Sequence, residues 1–317
     1  MGEILLQGTL GHVLADAAAE EVIRVYEDAF PDQVAGYYVE GSYADQTYLA
    51  TSDIDLIIVF RHHFADLETR RAAQHIWSTS QHANTMEVDI TVEDEESLCG
   101  GVDPMLKLGS RLIYGEDICS TYPLVPITAW TRQRMHAAYW LLVTVYQRPI
   151  PVRQPLSFPD PLDEFYGYAD RLISVSEGKE VHSTRNLIRT TGWAATALLA
   201  LQAGQYAVRK RDCARLYRCH IRDTWSSLLE EIATFCQDEW HYLLPEQTSA
   251  RRHLRALCER TLSFEEHFLA LYKRYLLEQL HATEQEHARF AIELQKQLPL
   301  DDEEVKTTLQ MIQQRDS

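Results

Sequence analysis

The chain has 317 residues, of which 45% are hydrophobic and 24% are charged, so it can form the cores of about two globular domains. No apolar run reaches 18 residues, which excludes a membrane-spanning helix. The amino terminus has no basic segment before an apolar one, so we expect a cytoplasmic protein. The six cysteines form no CxxC pair, which is typical of free thiols rather than of a zinc site.

The net charge of −17 is concentrated in the amino-terminal part of the chain. Residues 1–125 contain 6 basic and 22 acidic residues, whereas residues 126–317 contain 24 and 25. Nonspecific nucleic-acid binding needs a basic surface, so the acidic region argues against a nucleic-acid partner. An acidic surface suits divalent metals and cationic small molecules, but a solvated face that only aids solubility has the same composition.

The amino-terminal region alternates between helical and strand patterns, which predicts an α+β fold with a small mixed sheet over residues 1–125. The expected elements are a helix at 14–29, strands at Val34–Glu40 and Ile54–Phe60, a helix at 65–81 and a strand at 85–92.

Residues 126–317 have helical patterns almost throughout, which predicts an all-α bundle as a second domain. The proline-rich segment 151–161 is typical of an extended linker, and we expect the polar residues after 299 to fray. The expected helices cover 162–177, 184–203, 211–219, 223–237, 249–259 and 263–296.

Three acidic residues on two neighbouring strands carry the strongest chemical signal. Asp53 and Asp55 alternate along an apolar strand, so their side chains share a face, with Cα atoms about 6–7 Å apart. Such a pair suits two Mg²⁺ ions about 3.5–4 Å apart, which assist phosphoryl or nucleotidyl transfer. Asp89 on the next strand can add a third carboxylate. Taken alone, a DxD pattern is more typical of a solvent-facing strand end.

The residues before this pair add a second signal. Gly41 ends a strand and allows close approach of the backbone to a ligand, while Ser42 adds a hydroxyl donor. Backbone N–H groups of the following segment can contact phosphate oxygens. A Gly-Ser pair alone indicates only a turn, but the ordered combination with the three acids is more specific.

This combination resembles the nucleotidyltransferases of the DNA polymerase β superfamily, over about residues 20–118. The segment MLKLGSRLIYGEDI at 105–118 is similar to the closing helix and strand of that fold, with its Tyr-Gly-Glu/Asp turn. Residues 184–212 resemble part of the helical bundle of the adenylyltransferases that modify streptomycin and spectinomycin. The resemblance implies an enzyme that moves NMP, with AMP from ATP preferred, onto a hydroxyl of a small acceptor and releases pyrophosphate.

The resemblance also implies roles for individual residues. Asp53 and Asp55 would bridge two Mg²⁺ ions, and Asp89 would hold the ion nearer the acceptor. Either Asp89 or Glu87 would be the general base, with the other as a ligand or supporting group. Glu87 is also compatible with a plain surface charge.

The nucleotide would be bound by four further residues in this reading: Gly41, Ser42, Ser52 and Lys210. Arginines recur at 211, 215, 218 and 222 along one helix face after Lys210, which suits docking onto the acidic domain or contact with the triphosphate. An aminoglycoside acceptor, and with it antibiotic resistance, would fit the acidic charge. The alternatives are a toxin–antitoxin-type transferase that modifies protein or RNA, and a nucleotide-binding protein without turnover.

Overall fold

The computed structural model divides the chain into two compact units, which we describe separately. The sheet unit comprises Met1–Trp130 and Val208–Lys210, and the helical unit comprises Thr131–Ala207 and Arg211–Ser317. The structure describes residues 4–48, 52–80, 86–175, 179–282 and 285–315. None of the helices within these ranges is long and apolar enough to cross a membrane.

The sheet unit combines four strands with short and medium helices. In chain order its elements are α1 Val13–Ala29, β1 Val34–Glu40, α2 Gly41–Ala44, β2 Ile54–Phe60, α3 Leu67–Thr79, β3 Val88–Asp94, α4 Glu95–Cys99, α5 Pro104–Gly109, β4 Arg111–Gly115 and a 3₁₀ turn at Cys119–Thr121. Helix α6, Ile127–Val145, begins in this unit and continues into the helical unit.

The strands form one mixed sheet in the order β3-β2-β1-β4. Strand β1 is antiparallel to β2 and β4, whereas β2 and β3 are parallel. Because β1 runs against its neighbours, its carboxyl end lies at the same edge of the sheet as the amino ends of β2 and β3. This edge therefore brings together the segment after β1 and the first residues of two other strands.

Both faces of the sheet are covered, which explains the continuous apolar runs of β1 and β2. Tyr37 and Ile58 belong to the larger core on the face of α1 and α3. Tyr38 and Ile57, one residue away in each strand, belong to a smaller core with residues of α4 and α5. Alternate side chains thus point into opposite cores, as strand geometry requires.

The helical unit is built around one long helix. Its further elements are β5 Arg171–Ser174, β6 Glu180–Ser183, α7 Arg185–Ala203, α8 Lys210–His220, α9 Ser226–Glu231, a π-helical stretch Ile232–Glu239, α10 Thr248–Leu280, α11 Gln285–Gln297 and α12 Glu303–Arg315. The core includes the fully buried Phe264, Phe268 and Tyr272 of α10, with buried residues of α6 and α7 around them.

The predicted fold class is confirmed, and the strands Val34–Glu40 and Ile54–Phe60 have the predicted bounds. The third strand begins at Val88 rather than at 85, a position outside the described residues, and continues to Asp94. The helix predicted at 65–81 is shorter, because Asp66 accepts a hydrogen bond from the Thr69 N–H and fixes the amino-terminal end.

The helix predicted at 162–177 is wrong. Asp163 accepts hydrogen bonds from the N–H groups of Phe165 and Gly167, which builds a turn instead of a helix. Tyr166 and Gly167 have positive φ angles of 59° and 80°, which a right-handed helix does not allow. Strand β5 follows this turn.

Three helix boundaries in the helical unit also differ from expectation. The expected gap at 260–262 is absent, because buried Thr261 bonds its hydroxyl to the Leu257 carbonyl and α10 continues. The helix expected at 223–237 starts later and becomes π-helical, where the Trp240 N–H bonds to the Phe235 carbonyl. The tail forms α12 rather than fraying, because Asp302 caps its first turn and Val305 is buried.

Candidate active site

The predicted acidic residues meet at the edge of the sheet described above. Asp53 directly precedes β2, Asp55 is the second residue of β2, and Asp89 is the second residue of the parallel strand β3. Asp55 is paired with Asp89 in the register between the two strands. The two side chains therefore project on one face, where alternation along β2 also places Asp53.

One oxygen of each of these three carboxylates lies within 4.8 Å of the others. Asp53 and Asp55 are half-buried, and Asp89 is exposed. Like charges at this separation repel one another unless a cation lies between them. Within the described parts of the chain, this is the only group of three or more Asp, Glu, His or Cys side chains with such a geometry.

Gly41 occupies the turn that faces this cluster. It follows β1 with a φ angle of 67°, and a Cβ atom at this position would lie 2.7 Å from Oδ2 of Asp55. The φ angle favours glycine because other residues rarely adopt it, and an added Cβ would also displace the Asp55 carboxylate. The sequence predicted close approach of Gly41 to a ligand. The structure adds that the turn lies against a carboxylate of the cluster.

The turn is held in shape by backbone hydrogen bonds and by a buried aromatic ring. The Asp45 N–H bonds to the Gly41 carbonyl at 3.2 Å, and the Thr47 N–H bonds to the Ser42 carbonyl at 2.8 Å. Tyr43 is buried and stacks on Tyr48 with ring centroids 4.6 Å apart. Sequence analysis did not identify Tyr43, although it lies within the Gly-Ser segment.

Tyr43 is also electrostatically linked to the acidic cluster. Burial is the main reason that the pKa of its hydroxyl is raised, and the nearby Tyr48 and the negative charge of Asp53 raise it further. The phenol is therefore uncharged at physiological pH, and its buried ring stabilises the turn through the stack on Tyr48.

Glu87 lies beside the cluster but outside it. Its carbonyl accepts a hydrogen bond from the Ile54 N–H at 2.9 Å, so its backbone is fixed next to the start of β2. The Glu87 side chain is exposed and does not belong to the group of mutually close carboxylates. Of the two residues predicted as the base, only Asp89 therefore belongs to the acidic cluster.

The structure gives fewer details for the other residues that were predicted to contact the nucleotide. Ser42 is the second residue of α2, and Ser52 is half-buried immediately before Asp53. Lys210 is the first residue of α8, but its side chain lies outside the described part of the chain. Two of the arginines that recur along α8 form ion pairs: Arg215 with Asp212 at 3.1 Å, and Arg218 with Glu230 at 2.6 Å.

Comparison with known proteins gives a family for the sheet unit. Residues 20–106 match the family model of the nucleotidyltransferase domain. No curated protein matches the chain. Among solved structures, the chain is similar to spectinomycin adenyltransferase AAD(9) from Enterococcus faecialis, solved with ATP and spectinomycin. The identity is 11%, the similarity covers 78% of this chain and 97% of that chain, and the TM-score is 0.45.

The family match spans the segment that holds the glycine turn and all three acidic residues of the cluster. It confirms the nucleotidyltransferase predicted from the order of these residues. The similarity to the nucleotidyltransferase domain thus covers residues 20–106 of the sheet unit.

Proposed function

We propose that this chain is a Mg²⁺-dependent adenylyltransferase that moves AMP from ATP onto a hydroxyl of a small cationic acceptor. The observation that carries the proposal is the cluster of Asp53, Asp55 and Asp89 facing the Gly41 turn. In this reading the sheet unit is the catalytic domain, and the helical unit contributes to binding of nucleotide and acceptor.

The chemistry of the cluster fits magnesium. Mg²⁺ prefers oxygen ligands and is often bound through a few carboxylates together with phosphate oxygens. Three carboxylate oxygens within 4.8 Å of one another supply such a set, and they repel each other without a cation. Bound there by Asp53, Asp55 and Asp89, Mg²⁺ would offset the charge on the transferring phosphoryl group.

The residues of the chain would orient the two substrates. The turn at Gly41 and Ser42 would hold the β- and γ-phosphates, with Ser52 beside them. The acceptor oxygen would attack the α-phosphorus while the bond to the β-phosphate oxygen breaks and pyrophosphate leaves. Since Asp89 belongs to the cluster and Glu87 does not, we assign Asp89 as a ligand and Glu87 as the base that takes the hydroxyl proton.

The charge of the sheet unit supports a cationic acceptor. Residues 1–125 contain 22 acidic and 6 basic residues, so the field around the active site attracts positively charged molecules. A polycationic aminoglycoside is one such acceptor. The same field disfavours RNA, whose phosphates would be repelled.

The test is incubation with Mg²⁺ and ATP labelled on the α-phosphate, in the presence of aminoglycosides, proteins or RNA as separate acceptors. We expect label on an aminoglycoside, together with released pyrophosphate. Label on protein or RNA instead would replace the proposed acceptor class, and binding of ATP without transfer to any acceptor would favour a non-catalytic nucleotide-binding protein.

A pair of variants tests the division between Glu87 and Asp89. Glu87→Gln should lower kcat by about 10²- to 10⁴-fold, the range of general-base catalysis, and should leave Mg²⁺ affinity intact. Asp89→Asn should weaken Mg²⁺ binding, measured by calorimetry. Equal loss of Mg²⁺ affinity in both variants would contradict the assignment.

A further inference from the structure

A short segment from between two helices of the helical unit belongs to the sheet unit. Val208 and Arg209 end the connection between α7 and α8, and Lys210 begins α8, yet these three residues are part of the compact unit that contains the acidic cluster. A Cβ atom on Gly109, the last residue of α5, would lie 3.4 Å from Cβ of Val208. Val208 thus packs closely against the end of α5.

The next residue, Arg209, forms an ion pair at the end of the Gly41 turn. Its Nε lies 3.1 Å from Oδ1 of Asp45, whose side chain is only 9% exposed. Asp45 in turn closes the turn through the bond from its N–H to the Gly41 carbonyl. A carboxylate so buried is costly without a cation beside it, so the pair fixes Arg209 and the end of the turn together.

The pair also neutralises a carboxylate near the proposed phosphate site. Most of the basic residues in 1–125 are engaged elsewhere: Arg61 with Glu116, Arg70 with Glu93, Lys107 with two carbonyls and Arg111 with the Thr9 carbonyl. At the turn itself, Arg209 balances the charge of the Asp45 carboxylate, so the pair adds no net negative charge there. An uncompensated carboxylate at this place would repel the phosphates of a nucleoside triphosphate.

We infer that Asp45 and Arg209 are a positioning pair for the nucleotide donor: they fasten segment 208–210 to the Gly41 turn and so set the shape and charge of the triphosphate site. This inference rests on the proposed function. Asp45 does not contact the nucleotide in this reading. It acts by holding Arg209 and the turn in place.

The experiment measures binding of Mg²⁺ and a non-reactive ATP analogue, α,β-methylene-ATP, by calorimetry, so that no acceptor is needed. Asp45→Asn and Arg209→Gln should each weaken analogue binding by about ten-fold or more, the order of the coupling between two close charges. Arg209→Lys keeps the charge and should recover part of the affinity. The exchanged variant Asp45→Arg/Arg209→Asp should bind more tightly than either single variant.

Two controls separate positioning from a general structural effect. Glu164→Gln breaks an ion pair with Arg251 in the helical unit, whose Nε lies 2.8 Å from Oε1 of Glu164, and should leave analogue affinity unchanged. Binding of Mn²⁺ alone, followed by electron paramagnetic resonance, should be the same in wild type and in the Asp45 and Arg209 variants.

The outcomes are distinguishable. Analogue binding equal to wild type in both single variants would overturn the inference and leave the proposed function standing. Loss of Mn²⁺ binding together with analogue binding would also overturn it, since the pair would then support the fold rather than the phosphate site. Absence of analogue binding by the wild-type protein would overturn the proposed function and this inference with it.

Discussion

Two groups of charged side chains, one in each unit, are arranged in opposite ways. In the sheet unit, Asp53, Asp55 and Asp89 place like charges within 4.8 Å of one another. In the helical unit, buried Glu265 is paired with buried Arg148 and accepts a hydrogen bond from Tyr168 at 2.7 Å. Crowded like charges repel one another and would be stabilised by a bound cation, whereas a compensated pair needs no further ion. The contrast leads to opposite expectations for removing a charge in the two places.

The largest effect is expected from removing one acid of the cluster. Asp53→Asn or Asp55→Asn should lower nucleotidyl transfer by about 10³-fold or more, because the bound metal contributes several kcal/mol to transition-state stabilisation. The midpoint of thermal unfolding without metal should stay equal or rise slightly, since repulsion is relieved. Near-normal turnover in either variant would show that the cluster does not bind the catalytic metal.

The opposite result is expected from breaking the pair in the helical unit. Arg148→Met leaves Glu265 buried without its cation, and this should lower the free energy of unfolding by about 3–5 kcal/mol at pH 8. The double variant Arg148→Met/Glu265→Gln removes both charges and should recover most of that loss. Urea unfolding measures all three proteins. A single variant as stable as wild type would mean that the pair is not a stabilising element.

The destabilisation caused by Arg148→Met should increase with pH. Burial raises the pKa of Glu265 to about 7, although Arg148 and Tyr168 act in the opposite sense. A carboxyl whose folded pKa lies above its ordinary value binds its proton more tightly in the folded state. The stabilisation that comes from this tighter proton binding is fully present below the ordinary carboxyl pKa, and it is lost as the pH rises through about 7. The loss caused by Arg148→Met should therefore be smaller at pH 5 than at pH 8.

The sequence predicts best where local pattern and burial agree. Strands β1 and β2 are apolar runs bounded by polar residues, and each is buried on both faces, so their bounds were exact. The three acids were found because strand alternation fixes which side chains share a face. The turn after residue 162 was missed, because the side chain of Asp163 and the positive φ of Tyr166 override the helical pattern.

Other features lie beyond local patterns altogether. Asp45 and Arg209 are 164 positions apart, and no local sequence pattern near either residue predicts their ion pair. The Gly-Ser pair indicated a turn, but only the fold shows that a Cβ atom at Gly41 would meet Asp55. The sequence of helix α12 is polar, so fraying was expected. An ion pair between Asp302, at the start of the helix, and Lys273 of α10 holds it instead. Such contacts require the three-dimensional arrangement.

A smaller effect than that of the acids is expected at Gly41. Gly41→Ala places a methyl group 2.7 Å from the Asp55 carboxylate at a φ of 67°. Displacement of the turn by about 1 Å should lower transfer by about 100-fold. Gly204→Ala is the matched control, because Gly204 has a φ of 62° but nothing within 4 Å of an added Cβ. It should cost only about 1 kcal/mol of stability, with normal turnover. Equal activity loss in both variants would point to backbone strain rather than to the site.

The smallest expected effect is a change of KM with salt, and it tests the difference in net charge between residues 1–125 and 126–317. Acidic residues exceed basic ones by far in 1–125, whereas the two are nearly balanced in 126–317. If the sheet unit attracts a cationic acceptor, the KM of an aminoglycoside should rise several-fold as the Debye length falls from about 30 Å at 0.01 M salt to about 8 Å at 0.15 M. The KM for Mg-ATP should rise less, because coordination and backbone contacts act at short range. Initial rates at several salt concentrations give both constants. An acceptor KM that does not change with salt would remove the electrostatic reason for a cationic acceptor, while leaving the metal cluster and its nucleotide chemistry intact.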